Sequence, residues 1–229
     1  MLNRWEVILL SAALVSSWPC FAADKPAEAG RYEKNMAEFE ARDREQPPPK
    51  DGILFVGSST IRLWDLEKCF PGMPAYNRGF GGSMVSEVND VAERIVFPYA
   101  PKAIVFYSGD NDIAHGKTPE QTAADFQTFR DRLKEKLSQT HVFLLSIKPS
   151  NARWELWPKM QEANRLLRGL CEDEEHFHFL DTSACMLDAE GKPRKDLLQQ
   201  DGLHLNETGY ELWTALVMPH LKAALAGEQ

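Results

Sequence analysis

The segment Ile53-Leu-Phe-Val-Gly-Ser-Ser-Thr60 passes from four apolar residues to a glycine and three hydroxyl-bearing residues. A short apolar run that ends at a glycine is typical of a strand buried on both faces of a parallel sheet. The glycine permits a sharp exit from the strand, and a serine at the following helix start would expose its hydroxyl near free backbone N–H groups. The same order is also common in a plain turn with a helix cap, so this segment alone leaves both interpretations open.

Similar apolar runs recur along the chain and alternate with helical patterns. The further predicted strands are a weak one at 75–77 and stronger ones at 103–107, 142–146 and 177–180. The predicted helices are 84–97, 118–138, 155–171 and 207–226. Alternation of strands and helices predicts a parallel sheet covered on both sides, an α/β/α sandwich of three layers with about five strands.

The segment that precedes this pattern divides into two parts. Residues 1–23 have a short positive end, an apolar run and small residues at 22 and 23, the order of a secretory signal peptide. Residues 24–50 are charged and end in a proline-rich connector at 47–50, and Tyr32, Met36 and Phe39 recur there at helical spacing. We therefore expect an exported protein, periplasmic or secreted, with a short docked helix before a domain over 51–229.

Composition limits the classes of partner. The 229 residues carry a formal net charge of −8, with 43% hydrophobic and 26% charged residues, the balance of a soluble globular domain. An acidic chain without clustered Lys and Arg does not predict binding to nucleic acid or to an anionic membrane. No segment after the signal is long and apolar enough to span a bilayer.

The cysteines predict neither a metal site nor a disulfide framework. Cys20 leaves with the signal, so Cys69, Cys171 and Cys185 remain. Three unclustered cysteines lack zinc-ligand spacing, and in an oxidising compartment they allow at most one internal disulfide.

Three further polar motifs follow predicted strands or precede the last helix: Gly79-Phe-Gly-Gly-Ser83, Gly109-Asp-Asn-Asp112 and Asp201-Gly-Leu-His204. The glycines would let backbone donors approach a ligand, an asparagine amide would donate to an oxyanion, and the aspartate would orient the histidine as a general base. The glycine motif could equally cradle a phosphate, and the two acidic motifs also have plain interpretations as turns or cation sites. All would meet at the carboxyl edge of one parallel sheet, and together they form the set that acyl transfer requires.

In this order the motifs resemble the four blocks of the SGNH hydrolases, the GDSL-type esterases and lipases. The resemblance runs from Phe55 to about Leu212 and places Ser59 at the nucleophile position, Gly82 and Asn111 in the oxyanion hole, and Asp201 and His204 in the triad. Ser58 stands where the family motif has aspartate.

The resemblance implies a flavodoxin-like fold and a serine esterase that needs no cofactor and no metal. Ser59 would attack the ester with His204 as base, and the oxyanion would be held by the N–H groups of Ser59 and Gly82 and by the Asn111 amide.

The loop after the fourth predicted strand suggests the substrate. Arg153, Trp154 and Trp157 would contact a sugar or an anionic group, although packing of the tryptophans under the loop explains them equally well. We expect a small ester, in particular an O-acetyl group on a carbohydrate.

Other functions remain open at this stage. A lysophospholipase or thioesterase of the same family is the nearest alternative. A domain that binds glycans without catalysis, or a metal-dependent phosphoesterase with Asp110, Asp112, Asp201 and His204 as ligands, belongs to a different class.

Overall fold

The computed structural model describes residues 30–226. Within them lie five strands: β1 Ile53–Gly57, β2 Ala75–Gly79, β3 Ala103–Tyr107, β4 His141–Leu145 and β5 Phe177–Leu180. They pair in the order β2-β1-β3-β4-β5, and every pair is parallel. This confirms the predicted parallel sheet of five strands and its flavodoxin-like order.

Eight α-helices accompany the strands within residues 30–226: α1 Glu33–Glu45, α2 Ser59–Arg62, α3 Leu66–Cys69, α4 Val85–Ile95, α5 Asp110–Ala114, α6 Pro119–Lys136, α7 Trp157–Cys171 and α8 Glu207–Ala226. Four single 3₁₀ turns complete that range, at Phe97–Tyr99, Trp154–Leu156, Ala184–Met186 and Lys195–Leu197.

Three predicted helices are shorter in the structure than predicted, and proline explains two of them. The third, predicted over 118–138, spans Pro119–Lys136, with Thr118 and Leu137 as its caps. The helix predicted over 84–97 ends at Ile95, and a 3₁₀ turn follows around Pro98. The helix predicted over 155–171 begins at Trp157, with Pro158 in its first turn. Proline fits the first turn of an α-helix but not its interior, where it would remove a hydrogen bond.

Alternate residues of each strand point to opposite faces of the sheet, and both faces are buried. Leu54 and Val56 pack in one core with α1, α4, α6 and α7. Ile53 and Phe55 pack in a second core with α8 and the segments around α2 and α3. The central strands β1 and β3 are therefore continuously apolar, since each buried Leu, Ile or Phe contributes roughly 1.5–3 kcal/mol on either side.

Helix α1 docks on the first face, as its apolar spacing predicts. Met36 and Phe39 are buried there, and Arg94 of α4 forms ion pairs with Glu33 and Glu40. The division of the chain into a signal, a connector and a domain stays a prediction, as does export, because residues 1–29 lie outside the described residues.

The three cysteines expected in the mature chain are all free thiols in the structure: Cys69, Cys171 and Cys185. The disulfide that the sequence allowed is therefore absent among residues 30–226. Over the same range, no helix has the length and hydropathy needed to cross a membrane.

Candidate active site

Ser59 is the first residue of α2 and lies directly beyond the end of β1. The chain turns out of the strand at Gly57, where φ is 138° and a Cβ atom would lie 1.9 Å from the Tyr107 carbonyl oxygen. No other residue fits this position, because its conformation and the close backbone contact both exclude a side chain. The glycine thereby allows the Ser58 N–H to donate to the Tyr107 carbonyl at 3.0 Å.

The two adjacent serines differ sharply in their surroundings. The Ser58 side chain is fully buried, and its Oγ has no hydrogen-bond partner among the described residues. The Ser59 hydroxyl is partly exposed and lies 3.0 Å from Nε2 of His204. Only Ser59 therefore has both access to solvent and a nearby base.

His204 is held by Asp201, three residues earlier in the same loop. Nδ1 of His204 lies 2.6 Å from Oδ2 of Asp201, and Oδ1 of Asp201 accepts from the N–H groups of Leu203 and His204. The hydrogen bond from His204, followed by that from Leu203, lowers the pKa of Asp201 to about 2. The carboxylate is thus charged at neutral pH and leaves Nε2 of His204 free to accept a proton.

The loop after β2 brings Gly82 to the same edge of the sheet. Gly82 has φ of 78°, and among residues 30–226 its N–H donates to no protein acceptor. The loop is attached to the end of β3 through the next residue, because the Ser83 carbonyl oxygen accepts from the Ser108 hydroxyl at 3.2 Å.

Asn111 lies in the first turn of α5, just after β3. Its side chain is 5% exposed, and Nδ2 donates to the Ser83 carbonyl at 3.1 Å. The turn before it requires Gly109, because φ is 118° and a Cβ there would lie 2.6 Å from Cδ1 of Ile147. This hydrogen bond to Ser83 fixes Asn111 against the loop that contains Gly82.

The three residues predicted to contact substrate separate in the structure. Arg153 donates to Asp110 and Asn111, at 2.8 and 3.0 Å. Trp157 is 6% exposed and packs in the core, with its ring 6.3 Å from that of Trp154, so the prediction that it contacts substrate is wrong. Its position in the first turn of α7 turns it inward, and packing under the loop explains it.

Trp154 is partly exposed and borders a cavity. It lines a cavity of about 600 Å³ together with Asn151, Asp188 and residues 192–196. Ala152, which lies between the lining residues Asn151 and Trp154, donates its N–H to the Gly202 carbonyl at 3.1 Å. The cavity therefore lies beside the Asp201–His204 loop.

Lys148 has a structural position that sequence reasoning missed. It is 1% exposed, and its Nζ donates to the Leu203 carbonyl at 2.7 Å, inside the loop of Asp201 and His204. Burial lowers the pKa of this ammonium. The available signal was its place after a buried strand and before Pro149, where a lysine side chain has little access to solvent.

The acidic residues proposed as an alternative metal site do not converge. Asp110 pairs with Arg153, Asp201 pairs with His204, and Asp112 accepts from the Val85 N–H while burial raises its pKa to about 6. Across residues 30–226, no group of three or more His, Cys, Asp or Glu side chains is arranged to hold a metal ion. The geometry therefore does not support the metal-dependent phosphoesterase.

Comparison with protein families gives one match. Residues 64–212 match the model of the GDSL-like lipase/acylhydrolase family. The matched range contains Gly82, Asn111, Asp201 and His204 but begins after Ser59. Among curated proteins, no sequence match was found.

Several solved structures share the fold. A Streptococcus pneumoniae protein provisionally described as a platelet activating factor is 21% identical, with a TM-score of 0.76 over 84% of this chain and 94% of that one. A GDSL-like lipase from Bacteroides thetaiotaomicron is 19% identical, with a TM-score of 0.71 over 83% of this chain and 98% of the other. An acetylxylan esterase from Geobacillus stearothermophilus is 14% identical, with a TM-score of 0.60 over 74% of this chain and 93% of the other.

Proposed function

Since the chain belongs to the GDSL-like lipase/acylhydrolase family and is a carboxylic ester hydrolase, we propose that it cleaves its substrate through an acyl-enzyme on Ser59. One observation carries this proposal, the 3.0 Å contact between the Ser59 hydroxyl and Nε2 of His204. His204 accepts the hydroxyl proton while Ser59 Oγ attacks the ester carbonyl carbon, and the carbonyl oxygen becomes an oxyanion.

The remaining steps return every group to its starting state. The tetrahedral intermediate collapses, the bond to the alcohol oxygen breaks, and His204 gives its proton to the departing alkoxide. Water then loses a proton to His204 and attacks the acyl carbon, and the acid leaves as Ser59 Oγ regains that proton. Asp201 stays ionised throughout and stabilises the imidazolium, in keeping with its pKa of about 2.

The oxyanion is held in this proposal by the backbone N–H groups of Ser59 and Gly82 and by the Asn111 amide. The Gly82 N–H has no acceptor among residues 30–226, which supports its role as a donor. The Asn111 amide has two hydrogens and uses one on the Ser83 carbonyl, which leaves the other for the substrate.

For the substrate we favour short acyl esters, in particular O-acetyl groups on carbohydrates. The cavity beside Trp154 supports this, because an indole next to polar side chains suits the apolar and polar faces of a sugar ring. The likeness to an acetylxylan esterase agrees with it at the level of fold. Export by the signal peptide at residues 1–23 would bring the enzyme to such polymers.

A lysophospholipase or thioesterase is the second candidate, and acyl chain length separates the two. Hydrolysis of p-nitrophenyl acetate and p-nitrophenyl palmitate is compared first, and we expect the acetate to give the higher kcat/KM. Trp154→Ala is then compared with wild type on acetylated xylo-oligosaccharides, where we expect a higher KM. A clear preference for palmitate would reject the acetylesterase.

The nucleophile is tested with a fluorophosphonate probe, which labels activated serines. We expect labelling of wild type and of Ser58→Ala, and none of Ser59→Ala. The two serines differ in burial but are adjacent, so Ser58→Ala is the matched control, with circular dichroism to verify the fold. Full hydrolysis by Ser59→Ala would overturn the proposal.

A further inference from the structure

Arg153 occupies an unusual place for a residue at the rim of an active site. Its side chain is 18% exposed, and its guanidinium is shared between two neighbours in the first turn of α5. Nη1 donates to Oδ2 of Asp110 at 2.8 Å, and Nη2 donates to Oδ1 of Asn111 at 3.0 Å. Both contacts span more than forty residues of sequence, so they tie the loop after β4 to the end of β3.

These contacts determine which way the Asn111 amide faces. A guanidinium only donates hydrogen bonds, so the Asn111 atom next to Arg153 has to be the carbonyl oxygen. The Ser83 carbonyl only accepts, so the atom next to it has to be the nitrogen, at 3.1 Å. The two neighbours agree, and a flipped amide would place donor against donor and acceptor against acceptor.

Asp110 holds the guanidinium itself in place. Its side chain is 7% exposed, and the ion pair with Arg153 orients the planar group so that a second N–H reaches Asn111. Two of the Arg153 N–H groups are thereby used on protein partners, whereas the sequence predicted a contact with substrate.

We propose that Arg153 is a positioning residue for catalysis, which acts on the oxyanion only through the Asn111 amide. The inference rests on the proposed function, because it assumes that Asn111 donates to the oxyanion. Without Arg153 the amide would populate orientations in which its oxygen, instead of its nitrogen, faces the substrate. Such orientations do not stabilise the transition state, so turnover falls while substrate binding is preserved.

A double-mutant cycle tests this directly with Arg153→Gln, Asn111→Ala and the combined variant, assayed on p-nitrophenyl acetate. In the wild-type background we expect Arg153→Gln to lower kcat by about 10-fold to 100-fold, less than the full loss of one oxyanion donor, with little change in KM. In the Asn111→Ala background the same substitution should change kcat by less than about 3-fold, because the residue it acts through is gone.

Two outcomes would overturn the inference. Equal losses in the two backgrounds would mean that Arg153 acts independently of Asn111, and a raised KM with unchanged kcat would mean that it binds substrate. Arg165→Gln is the matched control, since Arg165 pairs with Glu162 on the exposed side of α7, and it should leave kcat unchanged.

If Arg153→Gln does not fold, Arg153→Lys replaces it in the double-mutant cycle. Lysine keeps the charge beside Asp110 but lacks the planar fork that reaches both partners, so we expect an intermediate loss that again vanishes in the Asn111→Ala background. The proposed function fails if Ser59→Ala retains hydrolysis. This inference fails if Ser59→Ala is inactive but the effects of Arg153→Gln and Asn111→Ala on kcat are additive.

Discussion

The two halves of the candidate active site are built in opposite ways. The Asp201 and His204 side chains are 45% and 24% exposed and lie on one short loop. Asn111, which completes the other half, is 5% exposed and is held by Ser83 and Arg153 from two other loops. We refer to these as the base side and the oxyanion side.

This difference separates residues that are needed for activity alone from residues that are needed for both activity and stability. The side chains of the base side are oriented by hydrogen bonds within four residues, and the distant contacts of this loop, from Lys148 and Ala152, are to its backbone carbonyls. The oxyanion side is organised by buried polar groups that satisfy one another, and loss of one leaves its partners without hydrogen bonds. We therefore expect substitutions on the base side to abolish activity with little effect on stability, and substitutions on the oxyanion side to affect both.

The largest effect is expected on the base side, from His204→Ala. Without the base, Ser59 keeps its proton, and kcat should fall by about 10⁴-fold or more. Because the hydrogen bonds of the imidazole within residues 30–226 are those with Asp201 and Ser59, the free energy of unfolding should change by less than about 0.5 kcal/mol, the range of ordinary surface substitutions. Steady-state kinetics and urea denaturation measure the two quantities, and a strongly destabilised variant would break the comparison.

Asn111→Ala tests the oxyanion side and should have a smaller effect on rate. Loss of one oxyanion donor typically lowers kcat by about 10²–10³-fold. Arg153 and the Ser83 carbonyl would each lose a buried partner, so the free energy of unfolding should fall by about 1–3 kcal/mol. The same two measurements apply, and unchanged stability would show that the oxyanion side is no more integrated than the base side.

The smallest expected effect is on the pH dependence of the free energy of unfolding. Two histidines outside the active site are expected to destabilise the fold at acid pH without affecting catalysis. His141 and His178 lie at the β4–β5 edge of the sheet, with Nδ1 of His141 3.2 Å from Nε2 of His178. Burial first, and neighbouring positive charges second, lower the pKa of each below its usual 6.5. For His141 the charged neighbours are His176, Lys102 and the opposing Glu175, and for His178 they are His141, His176 and His220.

The sign follows from proton binding. As pH falls below about 6.5, the unfolded chain takes up protons before the folded chain does, so the free energy of unfolding falls by at most about 1.4 kcal/mol per pH unit and proton. His178→Gln should reduce this slope without changing kcat at neutral pH. Urea denaturation between about pH 7 and pH 5 measures it, and an unchanged slope would assign the acid sensitivity to other groups.

The sequence was most informative where structure depends on neighbours along the chain. The apolar run at 53–56, the proline at the start of α6 and the spacing of Asp201 and His204 all act within a few residues, and the structure places them as expected. The order of the strands in the sheet followed from the family resemblance instead.

The remainder depended on contacts between distant residues. Arg153 and Trp157 follow the same strand and looked alike as substrate-binding candidates, yet one binds Asn111 and the other enters the core. Spacing alone does not reveal such outcomes, because they depend on which loops meet at the edge of the sheet. Lys148 was missed for the same reason, since its partner carbonyl at Leu203 lies fifty-five residues later.

The contact of Lys148 with Leu203 also has a consequence for the order in which the protein matures during translation. The ribosome delivers Ser59, Gly82 and Asn111 well before His204, and the Lys148 ammonium has no carbonyl to bind until residue 203 has emerged. A nascent chain that stops before residue 203 therefore lacks both the Leu203 carbonyl that Lys148 binds and the His204 base of the proposed mechanism. By that mechanism, ester cleavage begins only after this loop has been made and has closed over Lys148.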